Sequence, residues 1–142
     1  MKVYIAGPMR GLVNWNFDTF DAVEARWRDA GHHPMSPARM CRAMGYGPDC
    51  GYNAQPEDPD GAAHLRHVML SDIAAIYASD AIALLPGWEN SVGTTVELAV
   101  AQFLGLPIYD AVTMERINPA SKPWSYVQLM KINAPEGVGH SY

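Results

Sequence analysis

Cysteine and long hydrophobic runs are both scarce in this chain of 142 residues. The two cysteines, Cys41 and Cys50, are too few for a disulfide framework, which is typical of proteins in a reducing compartment. No apolar run is long enough to span a bilayer. A strand pattern begins directly after Met1, which leaves no room for a signal peptide. We therefore expect a cytoplasmic protein that has no membrane partner.

Basic residues are also few. The chain has 10 Lys and Arg against 15 Asp and Glu, a formal net charge of −5, and no basic cluster. A polymeric nucleic acid is therefore not an expected partner, because its phosphate backbone is bound through such clusters. Small anions can still bind to backbone N–H groups and single arginines. The apolar share of 49% and the charged share of 18% are typical of a folded domain, and the length predicts one domain over residues 1–142.

Strand patterns alternate with helix patterns along the chain. Short buried strands are predicted at residues 2–6, 33–35, 80–85 and 107–109. Helices are predicted at residues 16–30, after Ser36-Pro37, at 62–78, from Ser91 towards Gly105, and at 121–132, with a long loop at 45–61. This alternation predicts an α/β fold: a single three-layer domain with a doubly wound, mostly parallel sheet, Rossmann-like or flavodoxin-like.

Neither glycine-rich nucleotide fingerprint, Gly-x-x-x-x-Gly-Lys or Gly-x-Gly-x-x-Gly, is present, which counts against an NTPase and a dehydrogenase. Two other loops follow predicted strands: Gly-Pro-Met-Arg-Gly at residues 7–11, and residues 86–95. Ligands of doubly wound folds bind beyond the carboxyl ends of the strands. We therefore expect these two loops to be neighbours at a ligand site.

Two acidic residues interrupt apolar helix faces. Glu97 is predicted in the first turn of its helix, where an acid either only complements the helix dipole or has a chemical role. That helix is apolar nearly all round, which predicts that it is buried and that its lone carboxylate faces a cleft or a partner. Asp72 lies on a core-facing stripe, either tying down a loop or acting as a general acid or base. Tyr4 is either a core residue or a hydroxyl that orients a carboxylate.

The ordered set of motifs resembles the nucleoside 2-deoxyribosyltransferase superfamily. The matches are Tyr-Ile-Ala-Gly-Pro-Met-Arg-Gly at residues 4–11, Asp72 with Asp80, and Ser91-x-Gly93-x-x-x-Glu97. They are most similar to the branch of 2′-deoxynucleoside 5′-phosphate N-hydrolases, and to small phage and bacterial proteins of unassigned function. Residues 36–62 and the C-terminal third match poorly.

The resemblance implies a role for each matched residue. Glu97 is expected to be the nucleophile at C1′ of a deoxyribose, Asp72 to handle protons on the departing base, and Tyr4 to position Glu97. No metal and no organic cofactor is expected. A homodimer or larger homo-oligomer is expected, in which a residue of the neighbouring C-terminal region completes the pocket; the candidates are Ser121, Ser125 and Asn133.

We favour a substrate that carries a 5′-phosphate over a free nucleoside. Transferases that act on free nucleosides resemble this motif but carry an acid where Ser91 stands, and an acid there would repel a phosphate. The expected phosphate-binding residues are Gly7, Arg10, Gly11, Ser91 and Gly93. Hydrolysis of a deoxynucleoside 5′-monophosphate is therefore the leading hypothesis. Base exchange between deoxyribosides and a non-catalytic nucleotide sensor are the alternatives.

Other chemically suggestive residues are expected to be structural. His64 and His67 with Cys41 and Cys50 lack the spacing of a zinc site. Trp88 and Tyr46 are expected to pack locally rather than to stack on a base.

Overall fold

A computed structural model describes residues 1–46 and 59–119 of the chain, without the side chains of residues 59 and 60. In these residues the strands are β1 (Lys2–Ala6), β2 (His33–Met35), β3 (Ala81–Leu84), β4 (Ile108–Asp110) and β5 (Arg116–Ile117). The α-helices are α1 (Phe17–Asp29), α2 (Pro37–Ala43), α3 (Pro59–Tyr77) and α4 (Val92–Phe103). The predicted helix at residues 121–132 and most of the predicted loop at 45–61 lie outside the described residues.

The strands form one sheet in the order β2-β1-β3-β4-β5. Strands β1 to β4 are parallel, and β5 runs antiparallel to β4. The chain leaves β1 towards one edge of the sheet and returns to the other side of β1 as β3, so the strand order reverses between β1 and β3. The predicted α/β fold with a mostly parallel sheet is therefore confirmed. Strand β5 was not predicted, since two residues carry no readable pattern.

Successive residues of β1 serve two separate cores, because side chains of a strand alternate between the faces of a sheet. Val3 and Ile5 pack with α1 residues such as Phe20 and Trp27 on one face. Tyr4 and Ala6 belong to a second core on the opposite face, with residues of α3, β3, α4 and β4. Helices α3 and α4 pack against each other on this second face. The apolar strands are therefore covered on both faces, as their unbroken hydrophobicity predicts.

Helix α4 begins at a side-chain cap. The Ser91 hydroxyl oxygen accepts a hydrogen bond from the Thr94 backbone N–H at 3.2 Å, which satisfies one of the free donors at the helix start. Only one side of α4 is buried: Val92 is 72% exposed and Phe103 is 90% exposed. The prediction of a helix buried all round is therefore wrong for the single chain, because α4 lies on the outside of the sheet layer.

Asp80 stabilises the end of the sheet that lies opposite the loops at residues 7–11 and 86–95. Its carboxylate accepts a hydrogen bond from the Lys2 backbone N–H at 2.8 Å, and its own N–H donates to the Lys2 carbonyl at 2.8 Å. These bonds join the starts of β1 and β3. Asp80 is thus a structural residue, although it belongs to the motif set.

Candidate active site

The loops that follow β1 and β3 touch each other at the point where the strand order reverses. The Leu85 N–H donates to the Ala6 carbonyl at 2.8 Å, which extends the pairing past the end of β3. A Cβ on Gly7 would lie 2.6 Å from Leu85 Cβ, and one on Gly87 would lie 3.6 Å from Pro8 Cγ. The predicted proximity of these loops is confirmed, and Gly7 is required by close packing.

The loop after β1 is held in an unusual conformation. Asn14, Trp15 and Asn16 have φ values of 49°, 50° and 60°, in the left-handed region that is unfavourable for residues with a Cβ. The Asn16 side-chain amide donates to the Pro8 carbonyl at 3.0 Å, and Trp15 packs against the α1-side core. Such strain persists only where the surroundings enforce it. The segment from Asn14 to Asn16 is therefore held in its conformation by tertiary contacts.

Three polar side chains from three different elements meet below these loops. Tyr4 comes from β1, Asp72 from α3 and Glu97 from α4, and their exposed fractions are 0%, 6% and 5%. They meet because Tyr4 points to the sheet face on which α3 and α4 pack. The predicted inward orientation of both acids is confirmed.

Burial dominates the electrostatics of this cluster. It raises the pKa of Asp72 to about 7 and the pKa of Glu97 to about 8, since the charged forms lose their hydration. The negative charge of Asp72 contributes further to the raised pKa of Glu97. Burial, followed by the charges of Glu97 and Asp72, also raises the pKa of the Tyr4 hydroxyl well above its ordinary value. Tyr4 therefore stays protonated and can donate a hydrogen bond.

The cluster is not internally satisfied. Among the described residues, Tyr4 Oη, Asp72 Oδ1 and Glu97 Oε2 are buried without a hydrogen-bond partner. The Tyr4 hydroxyl is close enough to both carboxyls to lower their pKa values, but it does not reach the geometry of a full hydrogen bond. Orphaned polar atoms are uncommon in native interiors and call for a functional explanation or an additional partner. This arrangement fits a site that completes its hydrogen bonds when it binds a ligand.

The position of Glu97 in its helix corrects the sequence interpretation. The helix begins at Val92, after the Ser91 cap, so its first turn contains no acid and Glu97 lies in the second turn. The effect of the helix dipole declines within the first turn. It does not keep Glu97 ionised, because desolvation raises the pKa of this carboxyl instead.

The expected phosphate-binding residues belong to the two adjoining loops. Arg10 and Gly11 follow β1 and are exposed, with Gly11 at a φ of 76°. Ser91 accepts hydrogen bonds from the Thr94 N–H at 3.2 Å and the Thr94 hydroxyl at 2.9 Å, which leaves its own O–H available as a donor. Gly93 has open space where a Cβ would lie. Their binding of phosphate stays a prediction.

His64 is a residue near the site that the sequence interpretation undervalued. Its ring packs edge-on against Tyr46, with centroids 4.2 Å apart, and its exposed fraction is 9%. Burial and the positive charge of Arg10 lower the pKa of His64. The sequence does contain one indication of this position: His64 lies two turns before Asp72, on the inner side of α3.

The aromatic residues behave as expected. Tyr46 packs against the α1-side core and Trp88 against the α3–α4-side core. In the part of the chain that the structure describes, no group of three His, Cys, Asp or Glu residues is arranged to hold a metal ion. Across the same residues, no helix combines the length and hydrophobicity needed to cross a membrane.

Solved structures that are similar to this chain have low sequence identity to it. The solution structure of BlsM is 24% identical, with a TM-score of 0.51; the match covers 76% of this chain and 62% of BlsM. This chain thus spans less than two thirds of BlsM. The 2-deoxyribosyltransferase of the psychrotolerant bacterium Bacillus psychrosaccharolyticus is also 24% identical, with a TM-score of 0.48 and coverage of 77% of this chain and 70% of that enzyme.

Comparison with curated proteins gave no significant match. The family model described as "Domain of unknown function (DUF4406)" matches residues 1–110. That range includes Tyr4, Asp72 and Glu97 and covers more than half of the sequence. The chain therefore belongs to the DUF4406 family.

Proposed function

We propose that this protein is an enzyme that cleaves the N-glycosidic bond of 2′-deoxynucleoside derivatives. The preferred reaction is hydrolysis of a 2′-deoxynucleoside 5′-monophosphate to the free base and deoxyribose 5-phosphate. The observation that carries the proposal is the buried cluster of Asp72, Glu97 and Tyr4. The motif resemblance supports it, because these are the residues that the resemblance assigns to catalysis.

The raised pKa values provide one proton that the two acids share near neutral pH. With pKa values of about 7 and about 8, the pair retains a proton near neutral pH. Such coupled carboxyls titrate as a unit. Because Glu97 has the higher pKa, the shared proton lies on Glu97 in the free protein, and the mechanism requires that it passes to Asp72 when substrate binds. Glycoside cleavage uses one acid as a proton donor and one carboxylate as a nucleophile.

In the first step, a Glu97 carboxylate oxygen forms an ester bond to C1′ while the bond from C1′ to the base nitrogen breaks. The electron pair of the broken bond remains on the base, which takes the proton from Asp72. The positive charge that develops at C1′ stabilises the ionised form of Glu97 when substrate is bound. Tyr4 donates its hydroxyl proton towards the cluster and thereby orients the carboxylate.

In the second step, water attacks C1′ and the ester bond to Glu97 breaks. Asp72 accepts one proton of this water, which restores the starting protonation state. The sum is one deoxynucleotide and one water converted into one base and one deoxyribose 5-phosphate. A second base that replaces the water gives base exchange, and the same residues then act as a transferase.

The preference for a monophosphate depends on the loop after β3. Ser91 is uncharged and retains an O–H donor, Gly93 leaves space at the start of α4, and Arg10 on the adjoining loop supplies positive charge. Helix starts and arginines are common partners of phosphate groups. An acid in place of Ser91 would favour the 5′-hydroxyl of a free nucleoside instead.

Free-base release from a panel of deoxynucleotides and deoxynucleosides tests the proposal. Release without an acceptor base identifies a hydrolase, whereas release only with an acceptor base identifies a transferase. Binding without release in either condition identifies a sensor and contradicts an enzymatic function. Ribonucleotides of the same bases are the matched control for the deoxyribose preference.

A further inference from the structure

His64 lies on the same side of α3 as Asp72, two turns nearer the start of the helix. The residues at positions 64, 68 and 72 recur at steps of four, which places them in one row along the helix. His64 is 9% exposed, Asp72 is 6% exposed, and Val68 between them is half-buried. The row therefore faces the interior of the molecule from Asp72 as far as His64.

The end of α2 adjoins this part of α3. The Ser71 hydroxyl donates a hydrogen bond to the Met44 sulfur at 3.6 Å, which joins α3 to the residue that ends α2. Tyr46 is held there by its backbone N–H, which donates to the Cys41 carbonyl at 2.8 Å. Its ring packs edge-on against the imidazole of His64, with centroids 4.2 Å apart. The His64 ring is therefore positioned by a neighbouring element.

The two helices carry the two acids to different sides of a bound sugar. The base lies on the α3 side in the proposed function, on which this inference rests, because Asp72 of α3 is the acid that protonates it. The phosphate lies on the α4 side, where Ser91 begins the helix. From Asp72 the inner row of α3 leads directly to His64. A base that leaves towards Asp72 is therefore bordered by this row.

The length of the row fits a nucleobase. Eight residues of α-helix span about 12 Å. One hydrogen bond at each end accounts for about 6 Å of this length, and the remainder is close to the width of a base. A base whose sugar-bearing side meets Asp72 therefore presents its far edge to His64.

The group that meets the far edge is a hydrogen-bond donor. Burial, followed by the charges of Arg10 and His67, lowers the pKa of His64, so that its imidazole is uncharged near neutral pH and carries one N–H. The positive charge of Arg10 attracts the acceptor nitrogen of the ring and leaves the N–H for the base. A carbonyl oxygen pairs with this donor, whereas an amino group would oppose donor to donor and leave both unpaired.

We propose that His64 is a specificity-determining residue that donates a hydrogen bond to the departing base, and that the preferred base carries a carbonyl oxygen on its edge far from the sugar. Uracil and hypoxanthine are bases of this class, whereas cytosine and adenine carry an amino group at the same position. Tyr46 is a positioning residue for His64.

Two pairs of substrates test the proposal on the wild type. Deoxyuridine and deoxycytidine monophosphates form one pair, and deoxyinosine and deoxyadenosine monophosphates form the other; each pair exchanges the carbonyl for the amino group. In every pair that is turned over, kcat/KM for base release is expected to be at least about tenfold higher for the carbonyl member. Equal values, or a preference for the amino members, overturn the proposal.

His64→Phe keeps a planar ring but removes both ring nitrogens. It is expected to reduce the ratio of the two kcat/KM values to below about threefold, with an unchanged circular dichroism spectrum. His64→Leu, tested in the same way, covers the case in which the phenyl ring does not fit beside Tyr46. His67→Phe is the matched control, because His67 lies on the same helix but is exposed; it is expected to keep the wild-type ratio. A ratio that the His64 variants leave unchanged, or that all three variants lower equally, overturns the proposal.

Dissociation constants of the same four nucleotides separate this proposal from the proposed reaction. Tighter binding of the carbonyl members without any base release contradicts the reaction and supports the role of His64. Base release without a difference between the members of a pair contradicts the role of His64 alone. A wild type that binds none of the four nucleotides contradicts both.

Discussion

The negative charge of Asp72 raises the pKa of Glu97, although the two residues belong to different helices. Burial of both carboxyls is the larger cause, and Tyr4 opposes it only in part. The ordinary pKa values of these two acids are about 4. Burial thus moves their titration to near neutral pH. Perturbed pKa values of this kind cluster at functional sites.

The buried acids are expected to make the protein less stable at alkaline pH. Because their folded-state pKa values are about 7 and about 8, the folded protein binds more protons than the unfolded chain between pH values of about 4 and about 8. The free energy of unfolding therefore falls as the pH rises through this range. Urea unfolding measured at several pH values is the test.

Glu97→Gln is expected to reduce this pH dependence. It should raise the free energy of unfolding at pH 8 by roughly 2–4 kcal/mol, because each pKa unit corresponds to about 1.4 kcal/mol, and leave it nearly unchanged at pH 4. Glu89→Gln is the control, since Glu89 is exposed at the surface. A pH profile of stability that Glu97→Gln does not alter would show that Glu97 is not desolvated.

Tyr4→Phe is expected to shift the pH profile of turnover to higher pH. The Tyr4 hydroxyl lowers the pKa values of both acids, so that its removal raises them. Turnover should fall about tenfold or more, while stability changes by no more than about 1 kcal/mol, because the hydroxyl lacks a full hydrogen bond. The rate constant for base release is measured across the pH range.

Tyr109→Phe is the matched control for Tyr4→Phe. Tyr109 lies on β4 and packs edge-on against Trp27, with ring centroids 5.9 Å apart, in the other core. Its substitution is expected to leave the pH profile of turnover unchanged. Coincident profiles for Tyr4→Phe and the wild type would remove Tyr4 from the proposed site.

Ser91→Asp is expected to separate phosphate binding from helix capping. Aspartate caps a helix about as well as serine, so α4 should remain stable. Its charge should weaken the binding of deoxynucleoside monophosphates more than that of free deoxynucleosides. The KM values of both substrate classes are compared, and equal increases for the two would contradict a phosphate near Ser91.

Two glycines predicted to lie at the site are expected to respond differently to alanine. Gly7→Ala should destabilise the protein by about 1–3 kcal/mol, because the new Cβ would lie 2.6 Å from Leu85 Cβ. Gly93→Ala should leave stability unchanged or raise it by up to about 1 kcal/mol, since no atom lies within 4 Å of its Cβ. Thermal unfolding measures both. A loss of activity in a stable Gly93→Ala variant then reports on the approach of substrate.

The sequence was sufficient to predict most of the fold because its strands and helices have strong patterns. Strands β1 and β2 were predicted with the observed bounds, and β3 and β4 with small shifts at their ends. The start of α3 at Pro59 was missed, since residues 45–61 have the composition of a loop.

The site was predicted in composition but not in its electrostatics. The inward orientation of Asp72 and Glu97 follows from helical spacing. The first-turn position of Glu97 was wrong, because the helix starts directly after the Ser91 cap. The dominance of burial over the helix dipole depends on how α3, α4 and β1 pack, which no local pattern specifies. For the same reason the exposed outer side of α4 was not foreseen.

Turnover by Glu97→Gln most directly tests the claim that Glu97 attacks the sugar. The amide keeps the shape of the side chain but removes the nucleophile, and burial of an uncharged group should preserve the fold. We predict that the wild type releases free base from at least one deoxynucleoside 5′-monophosphate and that Glu97→Gln, with an unchanged circular dichroism spectrum, releases none. Base release by Glu97→Gln at a rate close to that of the wild type would contradict the assignment.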